Sequence, residues 1–349
     1  MDQAKRSTFR KLAVLCGLTA CLGLQPWITH EAEASSAINF TLDWRFEGPS
    51  APFLMALDRG YFADEGLNVN IDSGNGSAGA VTRVATGAYD MGLADFNALV
   101  EYASANPDAG MQAVYMLYNN TPAAVFTLKD SGIDTPADLA GKTLAAPVFD
   151  AGRKAWPAFA AHNGLDVDSV TWQSVEPAIR ETLLARRQVD GITGFYFTSL
   201  LNLEARGVDP EMITVMPYSD FGVSLYGNAI IASDKLIQEN PEAVAGFLRA
   251  FNRALVETIQ DPETAVGYVR KRDGLVNEAL ELRRLELALD AQVITEETLA
   301  EGLGSVTEER LAQSISEAVS AFGLEVTPAA DSLFNTAFLP DVTSRQVPQ

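Results

Sequence analysis

The sequence predicts an α/β fold with mostly parallel sheets, and three observations carry that reading. Strand-like and helix-like stretches alternate from Ile38 to Ser233. Helical stretches dominate after that point. Two segments about 100 residues apart, "ATGAYDMGLADFNAL" from Ala85 and "ARRQVDGITGFYFTSL" from Ala185, repeat one local order. Each runs from a helix end through a short link to a strand opening on Asp (Asp90, Asp190), then a short loop and a new helix. The loops Asp95-Phe96 and Phe195-Tyr196 correspond, which suggests two similar lobes, each with its own small sheet. Alternating units of this kind fold as helices packed on parallel strands.

Taken in order, Ile38 to Trp44 reads as a strand. A helix over about Ala51–Arg59 starts behind Pro49 and Pro52 and stops at Gly60. Leu67 to Asp72 alternates apolar and polar and is the next strand. Ser73 to Ala80 is a small-residue loop opening a helix that ends near Gly87. Tyr89 to Ala94 is a buried strand, followed by a helix from about Asn97. Ala123 to Asp130 is a strand; Thr135 then N-caps a helix with Pro136 at its first position and Gly141 as its stop, and a strand follows. "RKAWPAFAAHNG" is a helix interrupted by Pro157, Ser169–Val175 a strand, "AIRETLLARRQ" a helix and "VDGITGF" a strand. Tyr226–Ser233 returns the chain as a strand. Val244, Phe247, Phe251, Leu255 and Ile259 then share one helical stripe. Ser305 and Glu308 have capping-box spacing ahead of Leu311, Ile315 and Val319.

The N-terminus reads as a targeting segment. Lys5, Arg6, Arg10 and Lys11 precede the apolar run Leu12–Leu24, and "AEA" (Ala32 to Ala34) offers small residues for cleavage before Ser35. Residues 1–34 are therefore expected to be a signal peptide of an exported, periplasmic protein. "LTAC", ending at Cys21, resembles a lipoprotein box and gives the alternative of a lipid-anchored chain. Both cysteines, Cys16 and Cys21, lie in this segment, so cleavage after Ala34 leaves no disulfide.

The 349-residue chain carries a net charge of -21. That acidity disfavours nucleic acid and anionic membrane faces, and no apolar run is long enough to span a bilayer. No G-x-S-x-G elbow, nucleotide-binding glycine pattern or metal-spaced His/Cys/carboxylate set is present, so neither catalysis nor a cofactor is expected.

"LDW…GYFADEGLNVNI", "GSAGAVTRVATGAYDMGLAD", "TPADLAGKTLAAP" and "RQVDGITGFY" together resemble the periplasmic solute-binding proteins of ABC importers. The group is the superfamily serving nitrate, sulfonates, taurine and thiamine pyrimidine precursors, and "LDW" is most similar to the pyrimidine-precursor branch. The resemblance covers nearly the whole mature chain. It implies a two-lobed periplasmic-binding-protein fold: lobe one over 38–124 plus 228–349, lobe two over 125–227, with crossing strands near Ala123–Thr127 and Tyr226–Ala229. It also implies a small solute held between the lobes, delivery of a monomeric binding protein to a permease with its ATPase, and hinge closure. The pyrimidine-synthase relatives carry a cysteine-rich motif and active-site histidines; here the only internal histidine of the mature chain is His162.

Ligands of such sheets sit outside the carboxyl ends of strands, which selects the candidate residues. Asp43, Trp44 and Arg45 follow the first strand: Trp44 suits stacking on a planar solute and Arg45 an anionic group, against core packing and solvation as their structural alternatives. Gly76, Ser77 and Ala78 bring backbone N–H groups at a helix start, or are a plain turn. Asp95 is an acceptor for a ligand amine or a helix N-cap; Phe96 follows it. Asp150 and Gly152 open a helix in the second lobe, Tyr196 offers a ring and a hydroxyl, and Tyr118 and Tyr226 stand beside the crossings. The aromatic supply favours a planar, pyrimidine-precursor-like solute. Small sulfonates or carboxylates, or a sensory role with a receptor partner, are the alternatives.

Overall fold

A computed structural model describes residues 35–348. The signal-peptide and lipidation readings fall outside them. Ten strands form two five-stranded sheets. The first holds β1 (Ser36–Thr41), β2 (Leu67–Asp72), β3 (Met91–Asp95), β4 (Met111–Met116) and β10 (Asn228–Ser233), in the order β2-β1-β3-β10-β4. The second holds β5 (Ala123–Leu128), β6 (Thr143–Ala146), β7 (Thr171–Ser174), β8 (Gly191–Phe195) and β9 (Ile213–Pro217), in the order β7-β6-β8-β5-β9. In each sheet the first three strands in that order are parallel, and the fourth, β10 or β5, is antiparallel to both neighbours.

The internal repeat has a physical meaning. Asp90 Oδ2 accepts from Asn39 N at 2.8 Å, and Asp190 Oδ2 accepts from Thr143 N at 2.7 Å. Each aspartate thus satisfies a backbone donor of the neighbouring parallel strand.

The first sheet packs on the Pro241–Gln260 helix. Val244, Phe247, Phe251 and Leu255 are buried as the stripe requires. Phe40 meets Phe53 at 5.0 Å and Phe247 at 5.1 Å, and Phe53 meets Phe251 at 4.3 Å. Rings of this size supply much of the burial that stabilises the core.

Local departures have local causes. β4 and β9 were not predicted. The Thr135 cap is present, but it closes on Asp138 of a 3₁₀ turn, Pro136–Leu139. Pro157 starts a new helix, Trp156–His162, after the short Ala151–Lys154 helix. Thr307, rather than Ser305, caps the Glu308–Ala321 helix, accepting from Arg310 N at 3.3 Å.

Ala123–Thr127, expected as a crossing, lies inside β5; the chain passes between the sheets just before it, over 117–122, and returns by 222–227. The two segments are hydrogen-bonded to each other, Gly227 N to Tyr118 O and Thr121 N to Leu225 O, both at 2.9 Å. Arg310 joins them. It donates to Asn119 O at 2.6 Å and Asn120 Oδ1 at 3.0 Å, and lies 4.3 Å over the Tyr226 ring.

Candidate functional site

A cleft opens where the carboxyl ends of strands from both sheets face each other. From the first sheet come Asp43, Trp44, Arg45 and Glu47 after β1, and Gly76 and Ser77 after β2; from the second come Phe149 and Asp150 after β6, Arg180 after β7, and Phe195 at the end of β8. Tyr118 and Asn228 stand at its base, and Phe197 and Thr198 complete the wall. The cavity volume is about 110 Å³, against roughly 10–15 Å³ needed for one water. A ring-sized solute has room.

Two backbone bonds shape the first wall: Gly74 N donates to Trp44 O at 2.8 Å and Gly76 N to Asp43 O at 2.6 Å. A Cβ on Gly74 would lie 2.1 Å from Leu42 O, and Gly76 has φ 138°. Only glycine meets both demands. Trp44 is half-buried on this wall, with the exposed Arg45 guanidinium 5.8 Å from its ring centroid. Phe46 turns away into the core, under the Arg272 guanidinium.

The base is rich in acceptors. Asp43 is buried and accepts from Asn228 Nδ2 at 2.8 Å. Burial pushes its carboxyl up to about 6, the Asn228 bond offsetting only part. Burial also raises Glu47, against the pull of Arg284. Asn228 Oδ1 is buried with no partner among the described residues. Tyr118 is raised by burial, with Asp43 and Glu47 adding to it; its hydroxyl has no protein partner among the described residues.

Arg180 is buried and already engaged. It donates to Asp150 Oδ2 at 2.9 Å, Glu181 Oε1 at 2.7 Å and Ser199 Oγ at 2.8 Å. Burial pulls its pKa down, and Glu181 and Asp150 more than offset that. Asp150 is held in turn by Thr193 Oγ1 at 2.7 Å and Arg153 N at 2.9 Å. Gly194 makes room for this cluster, since a Cβ there would lie 2.2 Å from Ser199 Oγ and 2.9 Å from Arg180 Cζ. Gly194→Ala is expected to destabilise the protein by about 1–3 kcal/mol, the usual cost of overpacking. A urea midpoint equal to that of the parent protein would refute this.

Of the predicted residues, the cleft brings together Asp43, Trp44, Arg45, Gly76, Ser77, Tyr118 and Asp150. Ala78 and Asp95 line a smaller chamber alongside, Asp95 also serving as N-cap to Asn97 N at 2.8 Å. Four do not reach the cleft. Phe96 and Tyr196 each follow the last residue of a strand, and alternation turns them from the face that Asp95 and Phe195 take; Phe96 is buried in the core. Gly152 packs against Thr193, with 3.0 Å left for a Cβ. Tyr226 is buried, its hydroxyl donating to Glu297 Oε1 at 2.6 Å. Glu47, Arg180, Phe197, Thr198 and Asn228 were missed. Glu47 shares the Trp44 loop that the strand-end rule selected; Arg180 follows β7, a strand end that was not selected, and nothing local marks Asn228.

The NMT1/THI5-like family model matches residues 48–265, more than half of the chain. The chain belongs to the NMT1/THI5-like family. Similar to this NMT1/THI5-like protein is the formylaminopyrimidine-binding protein of Halalkalibacterium halodurans, 23% identical over 74% of this chain and 77% of that one. The riboflavin-binding protein RibY of Chloroflexus aurantiacus is 26% identical over 83% and 82%. The 4-amino-5-hydroxymethyl-2-methylpyrimidine phosphate synthase of Schizosaccharomyces pombe is 25% identical over 66% and 67%. Among solved structures, the periplasmic aliphatic sulphonate binding protein SsuA of Escherichia coli shares the fold, with a TM-score of 0.67, 16% identity and coverage of 90% and 92%. The NMT1/THI5-like chain therefore has the periplasmic-binding-protein fold.

Proposed function

We propose that this protein is the extracytoplasmic solute-binding component of an ABC-type importer, and that its solute is a small planar heteroaromatic molecule carrying N–H donors. The lobes are 38–124 plus 228–349 and 125–227, and the solute sits between them. The observation that carries the solute class is the character of the cleft: aromatic walls around a base that holds the Asp43 and Glu47 carboxyl groups and the unpaired acceptor Asn228 Oδ1, beside the Tyr118 hydroxyl. Asp43, Glu47 and Asp150 outnumber Arg45 and Arg180 among its charged residues. Arg180 is committed to two carboxylates, and Arg45 lies on the exposed side of Trp44. A sulfonate or nitrate would meet this acceptor-rich base with no buried cation free to pair with it. Relatives named for formylaminopyrimidine and riboflavin support a planar solute.

Relatives named as binding proteins support binding rather than turnover. His162 sits half-exposed outside the cleft, 2.9 Å from Glu317. Closure would work by population shift, the solute binding the closed arrangement better than the open one. Export to the periplasm and a monomeric state complete the proposal; no helix among the described residues is long and apolar enough to cross a membrane.

A thermal-shift panel tests the solute class, because a ligand of the folded state alone raises Tm. Aminopyrimidines or other amino-bearing heteroaromatics are expected to raise it, and taurine, alkyl sulfonates and nitrate to leave it unchanged. The reverse pattern would overturn the reading. Trp44→Ala is expected to weaken binding of the best compound about ten-fold, the loss of a stacking face. Unchanged affinity by calorimetry would remove Trp44 from the site.

A further inference from the structure

Beside the cleft is a second chamber of about 20 Å³, large enough for one small polar group where a water needs roughly 10–15 Å³. Ser77, Asp95, Asn97 and Glu101 wall it from the first sheet's side, and Phe149 and Lys154 from the second's. Ser77 and Phe149 also line the cleft, so the two spaces share a partition.

Asp95 and Asn97 are 2% and 4% exposed. Asp95 Oδ1 accepts from Asn97 N at 2.8 Å and Asn97 Nδ2 at 2.9 Å, and that amide nitrogen also donates to Tyr226 O at 2.8 Å. These bonds fix the amide, since a flip would set its oxygen against a carbonyl. Asp95 Oδ2 and Asn97 Oδ1 remain buried without partners among the described residues. Both are acceptors. The chamber's charged groups are Asp95, Glu101 and Lys154, and the Lys154 ammonium is taken by Glu101 Oε1 at 2.7 Å. One positive charge is missing. A buried, unpaired carboxylate oxygen is costly, and a charge-assisted donor offsets that cost.

We propose that this chamber is a subsite for a protonated primary amine carried by the solute, reaching past Ser77 and Phe149 to Asp95 Oδ2 and Asn97 Oδ1. The proposal rests on the reading of the cleft as a seat for a planar ring. Calorimetry with two probes separates them: an aminopyrimidine bearing a methyl group, and the same ring with an aminomethyl group in its place. The parent protein is expected to prefer the aminomethyl compound by about ten-fold or more, the scale of one charge-assisted hydrogen bond. In Asp95→Asn, which keeps a good N-cap, the preference should shrink to within about two-fold, the amide carrying no charge to pair with the amine. Equal binding of both probes by the parent protein, or a preference that survives in Asp95→Asn, overturns the subsite and leaves the ring seat standing; the chamber then holds water. Failure of both probes to bind overturns the ring seat, and the subsite falls with it.

Discussion

Replacing Arg180 by methionine is expected to cost the protein about 3–5 kcal/mol of stability, the scale of breaking a buried ion pair by removing one partner. Arg180 is 6% exposed and holds Asp150 and Glu181 on one guanidinium. Methionine fills much of the volume but leaves two carboxylates close together, out of water and uncompensated. Arg180→Met combined with Glu181→Gln should recover part of the lost stability, because one of the two charges is gone. Urea unfolding at neutral pH decides the matter. A loss under about 1 kcal/mol would mean that the cluster behaves like a solvent-screened surface pair, and that its role in setting the Asp150 wall is small.

The second large effect is on pH. Asp43 and Asp95 each titrate at about 6 in the folded protein, against an ordinary 3.8, burial being the main cause for both. The folded state therefore holds these protons more tightly than the unfolded chain does. Their stabilisation is fully present below about pH 4 and is lost as pH rises through 6. A shift of this size corresponds to about 3 kcal/mol per group. Unfolding free energies of the solute-free protein should show a downward component between pH 4 and pH 7. Asp43→Asn and Asp95→Asn should each flatten it. A parallel profile for either variant would show that its carboxyl is not held as described. At neutral pH the empty protein thus keeps two costly carboxylates at its binding spaces, which solute donors would relieve.

Much of the fold was legible because its units are punctuated. β2, β3, β6, β8 and β10 each follow or precede glycine, proline or an N-cap, β1 shows as an apolar run, and the Asp90/Asp190 repeat marked the two sheets. β4 and β9 escaped because "MQAVYM" and "ITVMP" do not alternate cleanly, and the apolar run of β4 continues into the crossing. The site was legible at the level of loops. Which side chain of a loop faces inward was not, since one residue of register exchanges Phe195 for Tyr196. Arg180 looked like an ordinary helical arginine; its burial depends on Asp150, thirty positions earlier in the sequence.

The position of β10 bears on the order in which the molecule can be assembled. The five strands of the second sheet are consecutive, lying between Ala123 and Pro217. The first sheet is discontinuous, and the strand it lacks until last sits between β3 and β4 rather than at an edge. When the chain has emerged as far as Pro217, the second sheet has all its strands in hand while the first has only β1 to β4, with β4 still lacking its neighbour in the sheet. Bringing Asn228 beside Asp95 closes a loop of more than a hundred residues. Such long-range pairings are slow to form because their chain entropy is lost before any contact is gained, and an already compact second sheet shortens the distance that Asn228 has to find.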